Sequence, residues 1–465
     1  MKSAKRDAME IKSFRLNNLG RFKELEADLA PADQVLSNIT VFIGNNGAGK
    51  TSILKALATS LSWFVARVRS EKGSGSPIPE EVILNKNTSA AIFVTLSDGE
   101  DSSDLPEVDA DDQFFKWTLA KTSKGKKAQF NSELSAASRL ADRYRTHLTT
   151  DENASLPLIA FYPVERVVLD IPLKIKERHN FLQLDGYDNS LNQGVDFRRF
   201  FEWFREREDS ENETGIPQDV LDNLLAKFDE NSEIWQKLQS HMASAKDRQL
   251  TAVRTAISNF MPGFSHLRVR RKPRLHMSID KNGETLNVLQ LSQGEKSLMA
   301  LVGDIARRLA MMNPGLENPL HGDGIVLIDE VDMHLHPSWQ RSIIQRLTNT
   351  FPNCQFILTT HSPLVISDYK DVLVYSLDDG ELTKIPSQYG QDANTVLLNV
   401  MDTDIRNKTI NKRLNDLLDL IQDKDLDQAK VLLGELESEL PEQNMELTKA
   451  RLLLRKQELR LAKDS

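Results

Sequence analysis

Short, unbroken apolar runs recur along this chain, and each ends abruptly at glycine, at paired carboxylates or at threonines. Runs without polar alternation predict strands buried on both faces, as in a parallel sheet. Val41–Ile43 is one such run; it enters a glycine-rich turn, after which Ile53, Leu54, Leu57 and Leu61 follow at helical spacing. Ile325–Ile328 and Phe356–Leu358 are two more, and Leu298, Leu301, Ile305 and Leu309 mark a helix that starts after Ser292. Phe197, Phe200, Phe201 and Phe204 repeat at helical spacing and read as a core face rather than a platform for bases. Asn212 to Pro217 breaks that helix, and further helical stretches run from Gln218 to about Phe260. The segment after it predicts a hairpin turned at Asn282-Gly283. From Asn411 the tail is leucine-rich: Leu414, Leu417, Leu418 and Ile421 form one face, Leu432, Leu436 and Leu440 another, and Leu452 to Leu454 a third, with a break at Pro441. Residues 71–81 and the acidic 97–113 read as surface loops, the latter lacking the spaced ligands of a calcium loop.

Strands alternating with helices give an α/β chain. Its 465 residues suffice for several domains, and no apolar run approaches the roughly 18 residues of a membrane span. The first residues lack the apolar stretch of a secretory signal, so the expected location is cytoplasmic. Cys354 stands alone, which suits a reducing compartment and excludes a cysteine-cluster metal site. A net charge of −9 disfavours general attraction to nucleic acid, so any such contact needs a local patch.

Chemistry gathers where the apolar runs end. Gly44, Asn45, Asn46, Gly47, Ala48, Gly49, Lys50, Thr51 and Ser52 form a strand–loop–helix phosphate motif. Its glycines let backbone N–H groups face phosphate oxygens beside a helix N-terminus. Lys50 is placed to reach the β- and γ-phosphates, and Thr51 to offer its hydroxyl to Mg²⁺. Asp329 and Glu330 close the Ile325–Ile328 strand, where one carboxylate can hold the metal shell and the other a water. Ser292, Gly294 and Glu295 open the next helix, which is either an ordinary N-cap or a second phosphate site that closes on nucleotide held by another subunit. His361 follows the Phe356–Leu358 strand and Thr359-Thr360; it is either structural or a partner of the γ-phosphate and water. His334 and His336 read as interface packing rather than metal ligands.

In order, the opening IKSFRLNNLGRFKELEADL, then FIGNNGAGKTS, LSQGEKS, LIDEVDMHLHP and TTHSP resemble the ABC-type ATPases of the RecF/SMC branch. The resemblance implies an ABC-type P-loop ATPase head that binds ATP and Mg²⁺. Catalytic roles fall to Glu330 and His361, the metal to Thr51 and Asp329, and nucleotide contacts to residues 44–52 with Ser292, Gly294 and Glu295. It also implies a homodimer, or higher homo-oligomer, sandwiching ATP. Lys50 and Ser292 stand 242 positions apart, far more than in transporter ATPases, so an insertion sits inside the ATPase. Gln129 and Gln183 are weak matches to the glutamine that links the two lobes in this class, and Glu165-Arg166 is the other candidate for that contact.

Within the branch, AFYPVERVVLDIP, DFRRFFEWFREREDSENE and SQYGQDANTVLLNVM are most similar to the compact ATPases of bacterial anti-phage operons, the PtuA type of Septu and retron systems. This likeness implies a partner nuclease of HNH type, PtuB-like, and possible contact with DNA or retron nucleic acid. The expected layout is lobe I with the phosphate loop over 1–184, an inserted helical arm over 185–262, the second half of the ATPase over 263–400, and a helical tail over 401–465. On an extended strand Arg268, Arg270, Lys272 and Arg274 would share one face; that stripe is either a phosphate-binding patch or a solvated face. The tail is either a docking module or structural packing. No Toprim or HNH constellation is legible, so a nuclease would be a second protein. A RecF-like protein acting directly on DNA, and a module using ATP only for assembly, are the competing readings.

Overall fold

The computed structural model describes residues 8–32, 35–99, 114–164, 181–192, 195, 197–214, 246–441 and 443–464. The Glu165-Arg166 contact and the helical stretch expected over 218–245 lie outside them. The chain forms two compact units, Met1–Gln391 and Asp392–Ser465. The division precedes the expected boundary at 401 because Asp392 caps a helix of its own, its carboxylate accepting from the N–H groups of Asn394 and Thr395.

The apolar runs build a six-stranded sheet in the first unit. Its order is β13 (Glu381–Ile385), β12 (Leu373–Asp378), β3 (Ile39–Gly44), β11 (Cys354–Thr359), β10 (Gly324–Ile328) and β6 (Leu158–Tyr162). All neighbours are parallel except the β12–β13 hairpin. Every residue of β6, β10 and β11 is buried, as unbroken apolar runs require. Register aligns Ile328 with Leu358 and Tyr162, and Thr359 with Phe42. The carboxyl ends of these strands therefore share one edge of the sheet, where open α/β sheets bind ligands. A second, antiparallel sheet has the order β2 (Phe22–Asp28), β1 (Glu10–Leu19), β4 (Ser89–Ser97), β5 (Phe114–Thr122), and it is tied to the first by Gln355 of β11, which accepts from the Ile11 N–H at 2.9 Å and donates to the Ile11 carbonyl at 2.8 Å.

Helix α1 (Lys50–Arg69) leaves β3 through the glycine-rich turn, and α2 (Ser135–Thr150) packs on it. In α3 (Phe197–Thr214) the four phenylalanines are at most 1% exposed, so they are core. Each contributes about 1.5–3 kcal/mol by burial. α3 extends to Thr214, into the break expected from Asn212 to Pro217, whose last three residues lie outside the described ones. Near its end Glu208 and Glu211 pair with Arg254 of α4 (Arg248–Phe260), and Arg207 pairs with Asp247, so the two helices are tied together there.

Helix α5 (Gln293–Met312) is buried on all sides from Ser297 onward. Inside it Asp304, Arg307 and Arg308 are at most 1% exposed. Asp304 accepts from Arg307 Nη2 at 2.7 Å, Arg308 Nε at 2.7 Å and the Tyr162 hydroxyl at 3.0 Å. Burial works to raise the Asp304 carboxyl, but Arg308 and Arg307 outweigh it and hold it below the usual carboxylate range.

A three-stranded sheet, β7 (Phe264–Arg270), β8 (His276–Lys281) and β9 (Glu284–Asn287), contains the expected turn, with Asn282 and Gly283 both at positive φ. The stripe of four cations on one strand is not formed. β7 ends at Arg270, and Lys272 and Arg274 lie in the exposed connection, where Pro273 has no N–H to give a ladder. Arg268 and Arg270 remain on β7, with a bulge between Ser265 and Arg268.

In the second unit α7 (Ala393–Asn399) precedes α8 (Lys408–Gln422), α9 (Leu426–Glu439) and α10 (Met445–Asp464). The last three share a core of Leu414, Leu417, Ile421, Ala429, Leu433, Leu436, Leu447, Ala450 and Leu454. The third face expected in the tail is not a face. Leu452 and Leu453 are 67% and 42% exposed, because helical spacing turns Leu447, Ala450 and Leu454 inward instead. No helix among the described residues is long and apolar enough to cross a membrane.

Candidate nucleotide site

The phosphate motif occupies the turn from β3 to α1. Asn45, Asn46 and Gly47 are exposed, Ala48 is buried, and Ser52 lies in the first turn of α1. Gly49 caps α1 at φ 111°, and a Cβ there would stand 2.5 Å from the Phe22 ring, so the position is closed to other residues. Lys50 is buried, and its ammonium donates to the carbonyls of Gly44 at 2.7 Å and Asn45 at 3.1 Å. Burial lowers its pKa, opposed by the charges of Glu330, Asp329 and Asp332.

β10 delivers the carboxylates to the same edge. Asp329 is 1% exposed, accepting from Thr51 Oγ1 at 2.7 Å and Thr359 Oγ1 at 2.6 Å. Its N–H donates to the Tyr162 carbonyl at 2.9 Å. Glu330 follows in a left-handed conformation, φ 44°, its N–H donating to Thr359 Oγ1 at 2.7 Å. A non-glycine residue held there stores about 1–3 kcal/mol, a strain typical of functional positions. Its carboxylate lies 4.0 Å from His361 Nε2, each side chain about one-third exposed. Thr359 thus holds the Asp329 carboxylate and the Glu330 backbone, a role not legible in the sequence, where it is only the end of a strand.

Asp332 is a second residue that the sequence pattern does not single out. Its carboxylate accepts from Thr360 Oγ1 at 2.5 Å and from the His361 N–H at 3.4 Å. Gln340, in α6 (Pro337–Thr350), donates to the carbonyls of Asp332 and Leu335 and accepts from Ser362 Oγ at 2.8 Å.

Ser292 caps α5 with a reciprocal pair: its Oγ accepts from the Glu295 N–H at 3.3 Å, and Glu295 accepts from the Ser292 N–H at 3.0 Å. Glu295 also pairs with Lys281 at 2.8 Å. A Cβ on Gly294 would meet the His334 carbonyl at 2.4 Å, so this turn packs directly on the segment that follows Glu330. Neither glutamine candidate sits at the carboxyl edge of β3 or β10. Gln183 donates to the carbonyls of Ala154 and Met312, and Gln129 accepts from Asn18, beside the antiparallel sheet.

The donor set fits Mg²⁺: a hydroxyl and a carboxylate, both hard oxygen donors, already face each other at Thr51 and Asp329. A buried lysine at the mouth of a strand–loop–helix turn fits a polyphosphate. The parallel sheet, this turn and the residues at the end of β10 are those of a P-loop ATPase-like fold.

The chain belongs to the family described as "AAA domain, putative AbiEii toxin, Type IV TA system", whose model matches residues 39–367. It is 35% identical over 413 residues to the Retron Ec83 probable ATPase of Escherichia coli, a match covering 81% of this chain and 73% of that protein. A shorter stretch of 113 residues is 41% identical to the Septu protein PtuA of Bacillus mycoides (strain KBAB4), covering 23% of this chain and 15% of that one. Among solved structures, the SMC head domain from Thermotoga maritima matches with a TM-score of 0.38 and 15% identity, over 81% of this chain and 98% of that chain.

Proposed function

We propose that this chain binds and hydrolyses ATP as the ATPase subunit of a bacterial anti-phage defence system, and that it controls a partner nuclease of HNH type. Two copies close on two nucleotides, each supplying Ser292, Gly294 and Glu295 to nucleotide held by the other. The observation that carries this reading is the joined set at the strand ends, Thr51 to Asp329, Asp329 and Glu330 to Thr359, and Glu330 to His361. Kinship with a retron ATPase supplies the defence setting. The half-buried Arg268 and the exposed Arg270, Lys272 and Arg274 of the β7–β8 hairpin are the proposed contact for DNA or retron nucleic acid.

In the reaction, Lys50 balances charge on the β- and γ-phosphates, and the loop N–H groups hold them. Thr51 and Asp329 would hold Mg²⁺, which supplies further charge neutralisation on the phosphates. Glu330 takes the proton of the water that attacks the γ-phosphorus as the bond to the bridging oxygen breaks and ADP leaves. His361 orients that water and the γ-phosphoryl group.

Replacing Glu330 with Gln tests the assignment. A general base contributes about 10²- to 10⁴-fold, so hydrolysis should fall to near background while ATP-dependent dimerisation persists. Wild-type hydrolysis in this variant would remove Glu330 from the mechanism.

A further inference from the structure

We infer that Asp332 is a positioning residue for hydrolysis: it sets the place of His361 by holding the Thr360 hydroxyl and the His361 N–H. The inference rests on the ATPase reading above and adds a role to a residue outside the phosphate loop and the Asp329-Glu330 pair.

The segment Thr359–Ser362 hangs from the segment after β10 at successive points. Thr359 is fixed by Asp329 Oδ1, the Glu330 N–H and, through its carbonyl, the Val331 N–H at 2.9 Å. Thr360 and His361 are fixed by Asp332 Oδ1, and Ser362 by Gln340. Thr360 is fully buried, so its hydroxyl has no water to turn to if Asp332 is removed. A carboxylate gives the shorter and stronger kind of hydrogen bond to such a hydroxyl. His361 carries its ring one-third exposed and 4.0 Å from Glu330. Its own backbone is thus the place where position is imposed, and Asp332 is the acceptor that imposes it. A displacement of about 1 Å at a reacting group can cost about 10²-fold in rate.

The test is a double-mutant cycle on the full chain, with turnover and binding of a fluorescent ATP analogue measured for each variant. Asp332→Ala should lower kcat about 10- to 100-fold with KM for ATP changed less than about threefold. Asp332→Asn keeps an oxygen acceptor and should stay within about threefold of wild type. In a chain already carrying His361→Ala, adding Asp332→Ala should lower kcat by less than about twofold, because the two act through one group. Thr360→Val removes the hydroxyl bond to Asp332 from the other side, together with the Ser362 N–H bond to the same oxygen at 3.0 Å; it should lower kcat in the same direction as Asp332→Ala and stands in for it if that variant does not fold. Three results overturn the inference: unchanged kcat in Asp332→Ala and Thr360→Val, effects that multiply with His361→Ala, or an Asn variant as slow as the Ala variant. Absence of turnover in the wild-type chain would overturn the ATPase reading instead, so the two failures are distinguishable.

Discussion

Asp304→Ala should destabilise the first unit by about 3–5 kcal/mol, the range for removing one partner of a buried ion pair. The figure follows from what is left behind. Arg308 keeps the carbonyls of Gly186 and Asp188, but among the described residues the other contact of Arg307 is the Met311 sulfur at 3.6 Å. One guanidinium, at most 1% exposed, is thereby stranded. With an unfolding entropy of about 2.1 cal/mol/K per residue, a 391-residue unit shifts by about 1.2 °C per kcal/mol, so Tm should fall roughly 4–6 °C. Removing the stranded charge as well, in Asp304→Leu with Arg307→Met, should recover about half or more of the loss, since apolar replacements of buried ion pairs are often neutral. The sign with pH is also fixed. Because the Asp304 carboxyl lies below its unfolded value, its contribution is fully present above about pH 3.9 and is lost as pH falls through the lower folded value. The gap between wild type and Asp304→Ala should therefore close in acid. Thermal and urea unfolding of the three proteins supply the measurement. A neutral Asp304→Ala, or a double variant less stable than the single one, would refute the reasoning.

Two further outcomes are expected. A chain ending at Gln391 keeps β3, β10, β11 and His361, so it should bind ATP; if the tail is the dock, it should no longer co-purify with the proposed nuclease partner, and retained co-purification would place the dock elsewhere. Reversing Arg268 and Arg270 to Glu should weaken nucleic-acid binding across all sequences and lower the salt slope by about 0.9 for each phosphate that is no longer neutralised; an unchanged slope in a variant that still hydrolyses ATP would return them to a solvated face.

The phosphate loop, the Asp329-Glu330 pair and His361 were legible because each sits at the end of an apolar run, and parallel strands bring such ends together. Thr359 and Asp332 were not legible, since their roles depend on register between β10 and β11, which no local pattern encodes. Arg307 and Arg308 interrupt the apolar pattern of α5, and the pairing with Asp304 is what makes their burial possible. The cationic stripe failed for a local reason that was in view, Pro273, whose missing N–H ends the ladder. The tail gave its helices correctly, but three consecutive leucines could not say which one faces inward.

Gly294 lies so close to the His334 carbonyl that not even a methyl group fits between them. Mechanically, the turn opening α5 and the turn leaving β10 have no slack against each other. A side chain added at Gly294 would press on the turn leaving β10, the segment that carries Asp332, whose carboxylate accepts from the His361 N–H. The close fit of these two turns therefore depends on the absence of a side chain at position 294.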